Sequence, residues 1–80
     1  MKLVIAILKD EQASRVLDAL VASEYRATRI NTAGGFLKKG NSTLLIGVED
    51  EQVDEVLNII KGKAPGTTAF VLNVVQHVRL

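Results

Sequence analysis

Leu3 to Leu8 is apolar at every position and stops at Lys9-Asp10. A run this short and this rich in β-branched residues reads as a strand buried on both faces. The last strand-like stretch, Thr67 to Val78, repeats the property through Val75. It carries Phe70, Leu72 and Val74 on one side and Ala69, Val71 and Val75 on the other. Between these strands lie only two helical patterns. The first opens at Asp10, a good N-cap, with Glu11 in the first turn, and carries the stripe Ala13, Val16, Leu17, Leu20 and Val21. The second opens at Glu49-Asp50-Glu51, carries Val53, Val56, Leu57 and Ile60, and ends at Gly62, with Pro65-Gly66 beyond. Residues 25 to 33 form a second strand, broken by Gly34-Gly35. Residues 42 to 48 form a third, with Leu44, Ile46 and Val48 on one side and Thr43, Leu45 and Gly47 on the other. The order is βαββαβ. Residues 1–80 are thus expected to be a single α+β domain of ferredoxin-like type, a four-stranded antiparallel sheet with both helices on one face. The opposite face has no helix to cover it. Alternation does not say which side of the first strand meets the helices, because both sides are apolar.

An uncovered apolar sheet face marks a partner surface, and closed self-association is the commonest way to bury it. Size argues the same way. A chain of 80 residues buries only ~60% of its unfolded surface. The chain has no cysteine for a disulfide or a thiolate metal site. Dense apolar packing or oligomerisation must supply the stability, and an apolar fraction of 48% serves both. A net charge of +1 creates no field toward nucleic acid or membrane. The apolar runs are too short to span a bilayer, and no secretory pattern precedes the first strand. A cytoplasmic protein is expected, with neither membrane nor nucleic acid as partner.

The stretch Tyr25 to Val48 carries the chemistry. If its hairpin is symmetric about Leu37-Lys38, residues whose numbers sum to 75 face each other. Thr28 then lies opposite Gly47, Thr32 opposite Thr43, and Gly34 opposite Asn41. Arg26 and Thr28 share a face, and Gly47 leaves that face open. Gly34-Gly35 exposes backbone N–H groups at the loop mouth. Cation, hydroxyl, amide and bare backbone together suit a phosphate-bearing ligand. An ordinary glycine hairpin with a solvated rim accounts for the same residues. Phe36, an aromatic in a glycine loop, either plugs a neighbouring subunit or stacks on a planar ligand. The loop from Gly34 to Gly40 is expected to be mobile without ligand and ordered with it. Lys38-Lys39 read as solubilising turn residues. His77, the single histidine, reads as a strand-end residue rather than a metal ligand. No nucleophile has a matched base, so no catalytic residue, metal site or cofactor is expected.

The runs Arg26-Ala27-Thr28-Arg29, Thr32-Ala33-Gly34-Gly35-Phe36-Leu37-Lys38-Lys39-Gly40-Asn41-Ser42-Thr43 and Gly47-Val48-Glu49-Asp50, with Val53-Asp54-Glu55, closely resemble the PII-like cyclic di-AMP receptor family. The resemblance covers about residues 1–61 and the final strand. It implies a ferredoxin-like protomer, a homotrimer, and a non-enzymatic signal receptor that binds its nucleotide between subunits at the base of the loops. By position, it implies that Arg26 and Thr28 approach phosphate or ribose. Gly35, Phe36 and Leu37 would offer backbone and a surface for adenine, Asn41 would read polar edges, and Gly47 would give room. Two departures stand out. The long insertion of relatives before the last strand shrinks here to Gly62-Lys63-Ala64-Pro65-Gly66, removing much of one pocket wall. Where relatives often have Asn before the aromatic-Arg pair, this chain has Glu24, unfavourable near a phosphodiester unless Arg26 or Arg29 neutralises it. The competing expectation is a trimeric structural or interaction module of the same fold that binds no nucleotide. An enzyme or amino-acid-sensing domain of this topology is the third.

Overall fold

Strand β1 (Lys2–Lys9), helix α1 (Asp10–Ala22), strands β2 (Thr28–Asn31) and β3 (Asn41–Val48), a 3-10 turn at Asp50–Gln52, helix α2 (Val53–Lys63) and strand β4 (Thr68–Asn73) follow one another in the computed structural model, which describes residues 1–31 and 40–80. The strands form one sheet in the order β2-β3-β1-β4, with every pairing antiparallel. This is the ferredoxin-like α+β fold expected from the βαββαβ pattern.

The core settles which side of β1 meets the helices. Val4, Ala6 and Leu8 of β1 and Leu44, Ile46 and Val48 of β3 pack with Ala13, Val16 and Leu20 of α1 and Val56, Ile60 and Ala64 near α2. Leu3, Ile5 and Ile7 therefore face the other way and stay partly exposed. On that open face Ile30, Phe70 and Leu72 are also exposed. Among the described residues no helix is long and apolar enough to cross a membrane.

Four local expectations need correction. Asp10 does not cap α1 but begins it; Lys9 holds the cap position, its N–H donating to Gln12 Oε1 at 3.4 Å. Asp10 is committed elsewhere. Its Oδ1 accepts from Ser42 Oγ at 2.6 Å, and Arg29 Nη2 lies 3.9 Å away. The stripe on α1 is narrower than expected, with Leu17 half-buried and Val21 60% exposed. Helix α2 runs through Gly62 to Lys63, and Ala64 is buried at its end.

The fourth correction concerns the last strand. β4 stops at Asn73 and does not reach Val78. The register explains it: Asn73 pairs with Lys2, the first residue of β1, so β1 offers no partner farther on. One bond beyond the strand remains, from Val74 N–H to the Met1 carbonyl at 3.1 Å. The chain then leaves the sheet, with Val75, Val78 and Leu80 exposed.

The connection from α1 to β2 is a Schellman turn. Tyr25 N–H donates to the Leu20 carbonyl and Glu24 N–H to the Val21 carbonyl, both at 2.9 Å. Glu24 sits in the left-handed region at φ 67. That conformation costs roughly 1–2 kcal/mol in an L-residue and is better tolerated by Gly, Asn or Asp. The asparagine that the family resemblance implies here thus has a backbone reason, independent of any ligand.

Candidate functional site

The β2–β3 pairing is displaced from the symmetric expectation. Thr28 faces Leu45, Arg29 faces Leu44, Ile30 faces Thr43 and Asn31 faces Ser42. Partner numbers sum to 73, not 75, so Thr28 is not opposite Gly47. Gly40, at φ 91, turns the chain so that β3 starts at Asn41, and the Gly40 carbonyl accepts from Asp10 N–H at 2.8 Å. A slip of two residues leaves every side chain on its expected face. It also puts the position of Arg26, just before β2, level with Gly47.

These residues meet in a hollow of about 870 Å³ on the open face, at the end of the sheet where α1 closes. Thr28 and Leu45 are paired across β2 and β3, and Gly47 is paired with Leu3 of β1, so all four point the same way. Leu3, Leu45, Ala27, Val21 and Val74 make the lining mostly apolar, while Arg26 and Thr28 supply the polar groups of its β2 side. Arg26 is exposed and makes no salt bridge with the described residues. A Cβ added at Gly47 would meet no atom within 4 Å, so glycine leaves the hollow open there.

The wall before β2 is pinned from behind. Tyr25 lines the hollow, and its hydroxyl donates to Glu55 Oε1 of α2 at 2.7 Å. That bond to a carboxylate, with smaller contributions from burial and from the charge of Glu55, raises the Tyr25 phenol above its ordinary value. Arg29 belongs to the opposite face. Its Nε donates to Ser42 Oγ at 3.1 Å, its Nη1 to Ser14 Oγ at 2.8 Å and its Nη2 to the Asp10 carbonyl at 3.0 Å. Ser42 is fully buried beneath this network. Of the two arginines considered as a counter to Glu24, only Arg26 lines the hollow.

The remaining expected site residues lie elsewhere. Asn41 is half-buried at the far end of β3, opposite Lys9. Six residues separate it from Gly47, ~20 Å at ~3.3 Å per residue. Gly35, Phe36 and Leu37 fall outside the described residues, as do the expectations for Gly34 and the loop's mobility, while Thr43, expected opposite Thr32, pairs with Ile30 instead. Conversely, His77 and Met1 line the hollow without having been singled out for it. His77 is not a strand-end residue, because the chain has already left the sheet; an expected strand running to Val78 hid this. Among the described residues no three His, Cys, Asp or Glu side chains cluster to hold a metal ion.

A family model described as cyclic-di-AMP receptor matches residues 1–77. A curated relative, the nitrogen fixation nifHD2 region GlnB-like protein 1 of Methanosarcina barkeri, is 39% identical over 77 residues, covering 80% of this chain and 73% of that protein. The nifHD region GlnB-like protein 1 of Methanothermococcus thermolithotrophicus is 36% identical with the same coverage. Among solved structures, the crystal structure of a functionally unknown protein from Pediococcus pentosaceus ATCC 25745 is similar at 41% identity and a TM-score of 0.84. The match covers 99% of this chain and 96% of that one.

Proposed function

This chain belongs to the PII-like cyclic-di-AMP receptor family, and we propose that it works as a non-enzymatic cytoplasmic receptor whose homotrimer binds a nucleotide second messenger between subunits, cyclic di-AMP being the first ligand to test. The observation that carries this is the hollow on the open face. Arg26, with no salt-bridge partner among the described residues, Thr28 and the open position at Gly47 converge over an apolar floor. A phosphodiester can take a charge-assisted hydrogen bond from Arg26 while a planar base rests on the apolar lining.

The separation of the candidate residues supports a site shared between copies. Arg26, Thr28 and Gly47 lie at one end of β3 and Asn41 at the other, ~20 Å apart by strand rise. One protomer does not present both ends to one small ligand. A neighbour's loop base, carrying its own Asn41, laid against the hollow would do so. The exposed Ile30, Phe70 and Leu72 on the same face give such a neighbour apolar area to cover.

One observation favours the second reading, a trimeric module without a ligand. Only Ala64 to Thr67 separate α2 from β4, which starts opposite Ile7 at the end of the sheet away from the hollow, so a neighbour laid against the hollow would bring only a short connector to cover it. Thermal shift against cyclic di-AMP, other cyclic dinucleotides, ATP and ADP separates the two. A receptor shows a melting temperature that rises with ligand, by mass action on the folded state. Arg26→Ala should weaken that binding roughly ten- to a hundredfold, the loss of one hydrogen bond to a charged group. No shift with any nucleotide up to high micromolar concentration leaves the module reading.

A further inference from the structure

We infer that His77 is a second phosphate-facing group of the hollow, and that the segment after β4 contributes a wall to it through Val74 and His77. This rests on the receptor reading above and adds to it a residue and a pH dependence.

The placement follows from where β4 ends. β1 offers no partner past Lys2, so after Asn73 the chain turns off the sheet, held by the bond from Val74 N–H to the Met1 carbonyl. Val74, half-buried, and His77, exposed, line the hollow, while Val75, Val78 and Arg79 are exposed and do not line it. A histidine has no packing reason to be at an apolar rim. On the hollow that Arg26 also lines it has a chemical one: a protonated imidazole carries two N–H donors and a positive charge, which suits a phosphodiester. Imidazole is the side-chain type whose ordinary charge change falls between pH 5 and 8, so a pH comparison addresses its part.

The other titratable groups around the hollow can be separated from it. Tyr25 is hydrogen-bonded to Glu55 and its phenol is raised, away from the neutral range. The amine of Met1 lies 3.2 Å from Asp50 Oδ1. That amine is a second cation at the hollow, so a variant at position 77 is needed to isolate the imidazole.

The test is calorimetric titration of the full chain with cyclic di-AMP at pH 5.5 and pH 8.0. The proteins compared are the wild type, His77→Gln and His77→Lys, with circular dichroism to check folding. Wild type should bind roughly tenfold tighter at the lower pH, the worth of one added charge-assisted hydrogen bond. His77→Gln should bind at both pH values about as wild type does at pH 8.0. His77→Lys should bind tightly at both, since it keeps a positive charge throughout. Wild-type binding that ignores pH overturns the inference and leaves the receptor reading standing. So does a pH dependence that survives in His77→Gln, which would assign it to the Met1 amine. No binding at either pH overturns both.

Discussion

Gly47→Val should stabilise the free protein and abolish ligand binding, two effects that seldom travel together. An added Cβ at Gly47 meets no atom within 4 Å, and the backbone there is not in the left-handed region. The first carbon of the new side chain therefore meets open space within the protomer. Glycine inside a strand is destabilising by roughly 0.5–1 kcal/mol relative to alanine, and a β-branched residue suits a strand further. The expected gain is about 1 kcal/mol, or ~4–8 °C in melting temperature for a domain of this size. The same methyl groups project into the hollow between Leu3 and Leu45, where the ligand is proposed to lie. Thermal melts at one fixed protein concentration, with and without cyclic di-AMP, read both effects. A fall in melting temperature with loss of the oligomer would refute the reasoning, because it would mean that a neighbouring copy already fills the space. A rise with ligand binding intact would show that the hollow is not the site.

Further substitutions at four positions test the fold and its assembly. Val4→Asp places a charge in the helix-side core and should unfold the protomer, whereas Ile5→Asp on the open face should leave it folded but monomeric; circular dichroism and light scattering distinguish the two. Ser42→Ala removes a buried hydroxyl that donates to Asp10 and accepts from Arg29, and should cost ~1–3 kcal/mol in urea denaturation. Glu24→Gly relieves a left-handed residue and should stabilise by about 1 kcal/mol, with Glu24→Asn giving a smaller gain in the same direction.

Where the pattern of residues was decisive, the fold was legible. The alternation of residues 42 to 48 and the helical spacing from Ala13 to Val21 gave the element order, and the core contains Leu44, Ile46 and Val48 with Ala13, Val16 and Leu20 but not Leu17 or Val21. Alternation could not orient β1, because Val4 and Ile5 are both apolar; packing against Val16 and Val56 decided it. The hairpin register was missed by two residues, since parity constrains the faces but not the turn, which Gly40 and its bond to Asp10 help set. The left-handed backbone at Glu24 left no trace in a glutamate. The end of β4 depended on where β1 begins, a property of the partner strand and not of the apolar run itself. That one misplacement concealed both the exposed tail and the position of His77. Of the candidate site, Arg26, Thr28 and Gly47 were found from strand alternation and come together in space, while Asn41 belongs to the opposite end of the same strand.

The central claim is that copies of this chain assemble around a nucleotide. Calorimetric titration of the wild-type chain with cyclic di-AMP into the high micromolar range, on a sample whose mass is fixed by light scattering, addresses it directly. The account predicts a trimer mass and saturable binding at one ligand per protomer, because a threefold ring has as many interfaces as subunits. A stable monomer at micromolar concentration, or a trimer that gives no heat with the ligand, would contradict it.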